Sequence, residues 1–280
     1  MRKVQKPTDN VRAVFRTCIS IVKNLELKTR LEEIERHIVV AANKYELSAL
    51  KATLHLLPRR NDVAGIVTNK EMTAVYSSRM VRKNTPGRAI YDKLLSLPAY
   101  GICPLCGQRI VATLDHHLPK DYYPALAVVP VNLIAACMDC NKNKNTIYPT
   151  SEEEQTLHPY YDDIEGDEWL IAEISQSSPV SVRFFVSPLR SMDKVMAARV
   201  RFHFKCFKLA ELYASHSACE IISIQRRLGR LFDQAGAAAV RMHLQEEADS
   251  RAAVHINSWQ TAMFKAMAAS KWFCEGGFRL

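Results

Sequence analysis

The chain of 280 residues lacks the features that mark several large protein classes. It has only 9 glycines and 12 prolines, too few for a collagen-like or low-complexity protein. The longest apolar run, from Pro124 to Met138, is interrupted by Pro130 and Asn132. It is also shorter than a membrane-spanning helix, which needs about 20 residues. The first ten residues lack the apolar stretch of a secretory signal peptide. We therefore expect a cytoplasmic protein without membrane association, in which thiols stay reduced.

The net charge of +9 is distributed unevenly. Residues 1–95 carry 19 basic and 9 acidic side chains, and residues 171–280 carry 15 and 9. Residues 96–148 are nearly neutral, and residues 149–170 contain 8 acidic side chains and no Lys or Arg. Basic regions on both sides of a neutral centre suit a polyanionic partner such as nucleic acid. A basic composition is also common in proteins that never bind nucleic acid, so charge alone leaves both interpretations open.

Hydrophobic periodicity predicts an α+β protein. Apolar residues at three- and four-residue spacing predict helices over 11–24, 27–57, 70–82, 88–97, 192–228 and 237–272. Two short runs joined by a Ser-Ser-Pro turn predict strands over 168–175 and 180–186. We expect three regions: a basic helical region over 1–98, a metal-bearing centre over 99–165, and a β-hairpin followed by helices over 166–280.

Two Cys-x-x-Cys pairs lie 30 residues apart in the predicted centre, Cys103 with Cys106 and Cys137 with Cys140. Four thiolates from two tight turns complete a tetrahedral Zn²⁺ site with no open position, which is a structural site. Gly107 follows the first pair, where such a turn needs a positive φ. The alternative is a thioredoxin-like redox pair, but neither pair opens a βαβ pattern.

The residues between and after these pairs supply the groups that phosphodiester hydrolysis needs. Asp115 precedes His116, Asn132 follows sixteen residues later, and Asn141 comes directly after the last cysteine. Carboxylate and amide oxygens suit Mg²⁺, which keeps several waters and binds few protein groups. An imidazole that titrates near neutrality suits a general base. His158 lies close after this segment, and it is either a further site residue or a surface residue of the acidic loop.

This pattern resembles the zinc-stabilised HNH endonucleases. The shared motif is Asp115-His116-x-x-Pro119, then Asn132-Leu133, then Cys137-x-x-Cys140-Asn141-x-x-Lys144. The resemblance implies a central ββα unit around one catalytic metal, with a structural zinc beside it and DNA as the substrate. Here the unit would be flanked by N- and C-terminal helical regions.

Roles follow from the resemblance residue by residue. His116 would be the general base, with His117 as the other histidine to consider. Asp115 and Asn141 would hold the catalytic Mg²⁺ or Mn²⁺, and Asn132 would brace the catalytic loop. The basic residues implied to contact nucleic acid are Lys120, Lys142 and Lys144.

Short flanking segments resemble the stand-alone HNH nuclease subunit of Septu- and retron-type anti-phage systems. These segments are residues 87–92, His158-Pro159-Tyr160 and residues 272–278. The resemblance implies a defence effector that works with an ATPase partner. Two alternatives stay open: a zinc-knuckle module that binds nucleic acid or a partner without cutting, and a toxin-like nuclease that cleaves RNA.

Overall fold

The computed structural model describes residues 1–187 and 192–279, which form two compact units, Met1–Asp163 and Ile164–Leu280. Within the first unit, the helices predicted over 1–98 share one hydrophobic core with strands and loops of the predicted centre. In the part of the chain that is described, no helix combines the length and the hydropathy needed to cross a membrane.

The first unit is helical in its N-terminal half. The helices are α1 (Val11–Ile19), α2 (Leu25–Glu33), α3 (Glu35–Leu50), α4 (Asn69–Val75) and α5 (Arg88–Leu95). The single helix predicted over 11–24 is wrong beyond Ile19, because Asn24 caps α2: its side-chain oxygen accepts from the Leu27 N–H at 2.9 Å. The helix predicted over 27–57 is divided at Ile34 and its α-helical part ends at Leu50.

A small ribbon precedes α4 and was not predicted from the sequence. It pairs β1 (Asp62–Val63) with β2 (Val67–Thr68). Thr68 and Glu71 then form a capping box at the start of α4. Glu71 also accepts two hydrogen bonds from the Arg30 guanidinium, at 2.7 and 3.1 Å, which together with the Thr68 bonds lowers the pKa of Glu71 to about 2. A π-helical turn over Tyr76–Val81 follows α4.

The cysteine-rich segment contains one antiparallel strand pair followed by a helix. The strands β3 (Thr113–His116) and β4 (Leu133–Ala136) pair with Asp115 opposite Ile134, and α6 (Met138–Lys144) begins two residues after β4. The Cys137 side chain caps α6 by accepting from the Cys140 N–H. The chain thus combines helices with small two-stranded sheets, as the α+β prediction requires.

The second unit consists of a β-hairpin and helices. The strands β5 (Leu170–Ser175) and β6 (Ser181–Val186) are antiparallel, as the sequence predicted. The helices are α7 (Lys194–Cys206), α8 (Leu209–Ala252), α9 (Trp259–Ala269) and α10 (Lys271–Cys274).

Helix α8 is broken at Gly236, where φ is +73° and ψ is −172°. This backbone conformation is essentially restricted to glycine. A cavity of about 450 Å³ is lined both by Arg227 and Leu231 before the break and by His243 and Glu246 after it. In an unbroken helix Arg227 and His243 would be about 24 Å apart. Residues from both arms of α8 therefore line one cavity because the helix is broken.

Candidate functional site

The two cysteine pairs come together as the sequence predicted. The Sγ atoms of Cys103, Cys106, Cys137 and Cys140 all lie within 4.8 Å of one another, and all four residues are buried. With Zn–S bonds of about 2.3 Å, a tetrahedral site needs sulfur atoms about 3.8 Å apart. The donor set and its spacing fit this requirement, so the cluster could hold a metal ion such as zinc.

Backbone geometry supports the two cysteine turns. Gly107 has φ of +64°, as expected, and its N–H donates to the Cys103 carbonyl at 2.8 Å. The Arg109 N–H points to the Cys106 sulfur at 3.5 Å, and the Cys140 N–H points to the Cys137 sulfur at 3.4 Å. Such N–H groups stabilise a thiolate, which is the ligand form of cysteine.

A second group of predicted residues converges at an open cleft of about 390 Å³. Asp115 and His116 reach it from β3, and Asn141 reaches it from α6. Lys120 and Lys142 line the same cleft, so two of the three predicted nucleic-acid contacts lie where a phosphate could approach. With Asp121 and Asn145, which also line it, the cleft combines two carboxyl groups, an imidazole, two amides and two ammonium groups.

Hydrogen bonding fixes the orientation of the His116 ring. Its Nε2 lies 2.8 Å from the Ala127 carbonyl oxygen, so Nε2 carries the proton and Nδ1 of the neutral ring is the proton acceptor. The Tyr76 ring packs edge-on against the imidazole with ring centres 4.4 Å apart, and the Tyr76 hydroxyl donates to the Leu114 carbonyl at 3.2 Å. Burial lowers the pKa of His116 to about 3, well below the near-neutral value expected from the sequence, and keeps the ring neutral.

The neighbouring His117 lies in a different environment. It is buried, it is not among the described residues that line the cleft, and its ring centre is 4.3 Å from that of His158. His158 is also buried: its Nε2 is 2.9 Å from the Tyr45 hydroxyl, and its Nδ1 accepts from the Tyr160 N–H at 3.1 Å. The structure therefore places only His116 of the two adjacent histidines at the cleft, and His158 belongs to the interior rather than to the surface.

Asn132 is fully buried and acts on the loop between the strands. Its Oδ1 accepts from the Leu118 N–H at 2.8 Å, and its Nδ2 donates to the carbonyls of Leu118 at 3.0 Å and Leu126 at 3.3 Å. These bonds are of the kind that a residue bracing the loop would make. Asn132 is not among the described residues that line the cleft.

Lys144, which the resemblance implied to contact nucleic acid, lies away from solvent. It is buried, and its Nζ lies 3.2 and 3.1 Å from the two carboxylate oxygens of Asp115 and donates to the His116 carbonyl at 2.6 Å. The cause is the packing of the last turn of α6 against β3, which directs the side chain inward. Burial raises the pKa of Asp115, and the charge of Lys144 acts in the opposite direction.

Two contributors to the site were missed by sequence reasoning. Tyr76 comes from the π-helical turn, 40 positions before His116, and the Ala127 contact is made by a backbone carbonyl. Every residue has a backbone carbonyl, so the residue type gives no sign of this contact. Nothing local in the sequence relates Tyr76 to the histidine. Only the tertiary fold reveals these contacts.

Comparison with known proteins relates the chain to a bacteriophage protein. It is 28% identical over 236 residues to Protein ea31 of Escherichia phage lambda, a match that covers 79% of each chain. No protein-family model matches the sequence. No solved structure matches it either.

Proposed function

We propose that the protein is a metal-dependent endonuclease of the HNH type. In this proposal β3, β4 and α6 form the ββα unit, and zinc bound by the four cysteines stabilises it. One observation carries the proposal: Asp115, His116 and Asn141 line the same cleft, although 24 residues lie between His116 and Asn141. A module that only binds has no need of a carboxylate, an imidazole and an amide in one place.

Each side chain would have a separate role in the reaction. Asp115 and Asn141 would hold Mg²⁺ or Mn²⁺, which when bound supplies positive charge to the phosphate and to the leaving 3′-oxygen. Nδ1 of His116 would take a proton from water as the water oxygen forms a bond to phosphorus and the P–O3′ bond breaks. The Ala127 carbonyl holds the other ring nitrogen in its protonated state, which keeps Nδ1 as the acceptor. Lys120 and Lys142 would contact neighbouring phosphates.

We infer DNA as the substrate and anti-phage defence as the setting, with an ATPase as the partner. The basic regions outside the centre support a polyanionic substrate. The flanking segments that resemble Septu- and retron-type nuclease subunits support the setting and the partner. The reduced state that a cysteine-bound zinc requires supports a cytoplasmic location.

The test is cleavage of supercoiled DNA with Mg²⁺ or Mn²⁺, alone and with the product of a neighbouring ATPase gene. We expect His116→Ala to lower the rate by at least about 100-fold, the usual contribution of a positioned general base. His37→Ala is the matched control, because His37 is exposed on α3, and it should cut like the parent chain. Zinc content and circular dichroism should be unchanged in both variants. Cleavage by His116→Ala at the parent rate would overturn the assignment, and cleavage of RNA alone would replace DNA as the substrate.

A second candidate is a zinc-knuckle module that binds nucleic acid without cutting it. The observation that favours it is the contact of Lys144 with both oxygens of Asp115, because a permanent ion pair would leave no place for a divalent cation. This candidate predicts binding of DNA but no product with Mg²⁺ or Mn²⁺, whether or not the ATPase is present.

A further inference from the structure

We propose that Arg59, Tyr122 and Tyr148 form a stacking platform for an unpaired nucleobase next to the phosphate held in the cleft. The proposal rests on the proposed function and narrows it, because it assigns the substrate class as DNA that is single-stranded or locally unpaired at the cleavage site.

The three side chains form one contiguous group. The Arg59 guanidinium carbon lies 4.7 Å from the centre of the Tyr148 ring and 6.0 Å from the centre of the Tyr122 ring. The Arg59 guanidinium also donates to the Tyr148 hydroxyl at 2.6 Å. The two rings meet edge to face with centres 5.1 Å apart. Arg59 is exposed, and both tyrosines pack against the hydrophobic core but remain partly exposed, so part of the group is accessible from solvent.

Chain connectivity places the platform at the rim of the cleft. Lys120 and Thr146 both line the cleft. Tyr122 follows Lys120 by two residues, and Tyr148 follows Thr146 by two residues. Two residues of chain span at most about 7 Å, so the backbone of each tyrosine lies within that distance of a residue that lines the cleft. The platform therefore lies next to the cleft.

Backbone contacts hold the platform in place. The Arg60 N–H donates to the Tyr122 carbonyl at 2.9 Å, which fastens the Arg59 loop to the segment that carries Tyr122. The Asn69 side chain donates to the Lys120 carbonyl at 2.8 Å, which fastens the same segment to α4. A platform that is already ordered loses little side-chain entropy when a ligand binds.

The chemistry of the group fits a nucleobase beside a phosphate. Bases stack on tyrosine rings and on arginine guanidinium planes, and this stacking tolerates any sequence. Arg59 donates to a hydroxyl rather than to a carboxylate, so its positive charge is available to the nucleic-acid backbone. The faces of a base are covered in an intact duplex, so a base can stack here only when it is unpaired.

The experiment measures fluorescence anisotropy of labelled oligonucleotides with the full-length, zinc-loaded chain and no added Mg²⁺. The parent chain should bind a single strand about 10-fold more tightly than the matching duplex, and Tyr148→Ala should remove that advantage by weakening single-strand binding about 10-fold. Tyr148→Phe keeps the ring and loses only the hydroxyl, so it should retain most of the affinity. The control is Tyr100→Ala, because Tyr100 is 94% exposed, and it should bind like the parent chain.

A set of single strands with one abasic position then locates the stacked base. One position should weaken binding to the parent chain about 10-fold and leave Tyr148→Ala unaffected, because the ring and the base are partners. The platform would be overturned if Tyr148→Ala and the parent chain bound single strands equally and no abasic position weakened binding to the parent chain. Parallel cleavage assays with Mg²⁺ separate the two proposals. If the parent chain cleaves DNA and Tyr148→Ala binds single strands as tightly as the parent, only the platform is rejected. Binding that depends on Tyr148 without any cleavage rejects the nuclease and keeps the base site.

Discussion

Lys144 is the positively charged partner of a buried carboxyl group. Its ammonium group contacts both oxygens of Asp115 and the carbonyl of His116, and both side chains of the pair are almost completely buried. Burial alone would favour the protonated acid, and the adjacent positive charge opposes that tendency. Lys144 therefore positions Asp115 in the cleft rather than contacting nucleic acid itself.

The first prediction concerns this ion pair. Lys144→Met should lower the free energy of unfolding by about 3–5 kcal/mol, because it leaves the Asp115 carboxylate buried without its partner. The double variant Asp115→Asn with Lys144→Met should recover part of that loss, since no charge is then buried. Denaturant unfolding of the parent, both single variants and the double variant measures the coupling. Strictly additive losses would show that the two side chains do not stabilise each other.

The second prediction concerns Glu71, which accepts hydrogen bonds from Arg30 and Thr68. Its pKa falls from 4.5 to about 2 in the folded chain, so its contribution to stability is complete above about pH 4.5 and is lost as the pH falls toward 2. Glu71→Gln should lower the free energy of unfolding at pH 7 by about 1 kcal/mol and should flatten its pH dependence between pH 4.5 and 2. Urea unfolding at a series of pH values checks both effects. The control, Glu32→Gln, removes a carboxylate that is exposed on α2 and should leave the pH profile unchanged.

At the scale of secondary-structure elements, the motif predicted which residues come together better than it predicted how they pack. Residue types and spacing were sufficient to predict that the cysteines meet and that Asp115, His116 and Asn141 are candidates. Spacing could not predict which of two adjacent histidines reaches the cleft, because that depends on the packing of His117 against His158, which is itself bonded to Tyr45 of α3. The inward direction of Lys144 likewise follows from the contact between α6 and β3.

Helix existence was predictable and helix boundaries were less so. The periodicity of Leu31, Ile34, Ile38, Ala41 and Ala42 predicted a buried face; Ala41 is partly buried and the other four are buried. The break at Asn24 depends on a capping bond rather than on hydrophobicity, and the β1–β2 ribbon is too short to show a two-residue period. These details arise from local hydrogen bonds, which a hydrophobic pattern does not contain.

The third prediction uses two glycines of α8. Gly236 adopts φ of +73° and ψ of −172°, so Gly236→Ala should lower the free energy of unfolding by about 1–3 kcal/mol or separate the two arms of the helix. Gly229 is helical, and a methyl group added there would meet no atom within 4 Å beyond its own stretch of helix, so Gly229→Ala should raise stability by about 0.5–1 kcal/mol. Thermal unfolding of both variants tests whether the two substitutions change stability in opposite directions. A stabilising Gly236→Ala would mean that the break is not part of the native fold.

At the scale of the whole molecule, the two compact units differ in what stabilises them. The first contains the cysteine cluster, whereas the second has a hairpin and helices. Metal binding by four thiolates adds folding free energy only to the part of the chain that contains them. Loss of the metal should therefore affect the two units unequally.

The fourth prediction follows from that difference. The purified chain should contain about one zinc per molecule, and Cys140→Ser should lose it, because three ligands no longer close the site. Hydrogen exchange should then accelerate around residues 99–163, while residues 194–274 keep their protection. Cys219→Ser is the matched control, since Cys219 is exposed on α8 and lies outside the cluster. Equal zinc content in the two serine variants would contradict the assignment of the cluster as a zinc site.

The break at Gly236 also has a kinetic consequence. Arg227 and His243, on either side of the break, line one cavity although only 15 residues lie between them. Closing such a short loop takes well under a microsecond and costs little entropy, so contacts of this kind are favoured early in folding. We expect the paired arms of α8 to gain protection in pulse-labelling experiments before the β3–β4 pair, whose strands are separated by a 16-residue connection. During synthesis the order along the chain is the reverse, so refolding from denaturant and folding on the ribosome should begin at opposite ends of the protein.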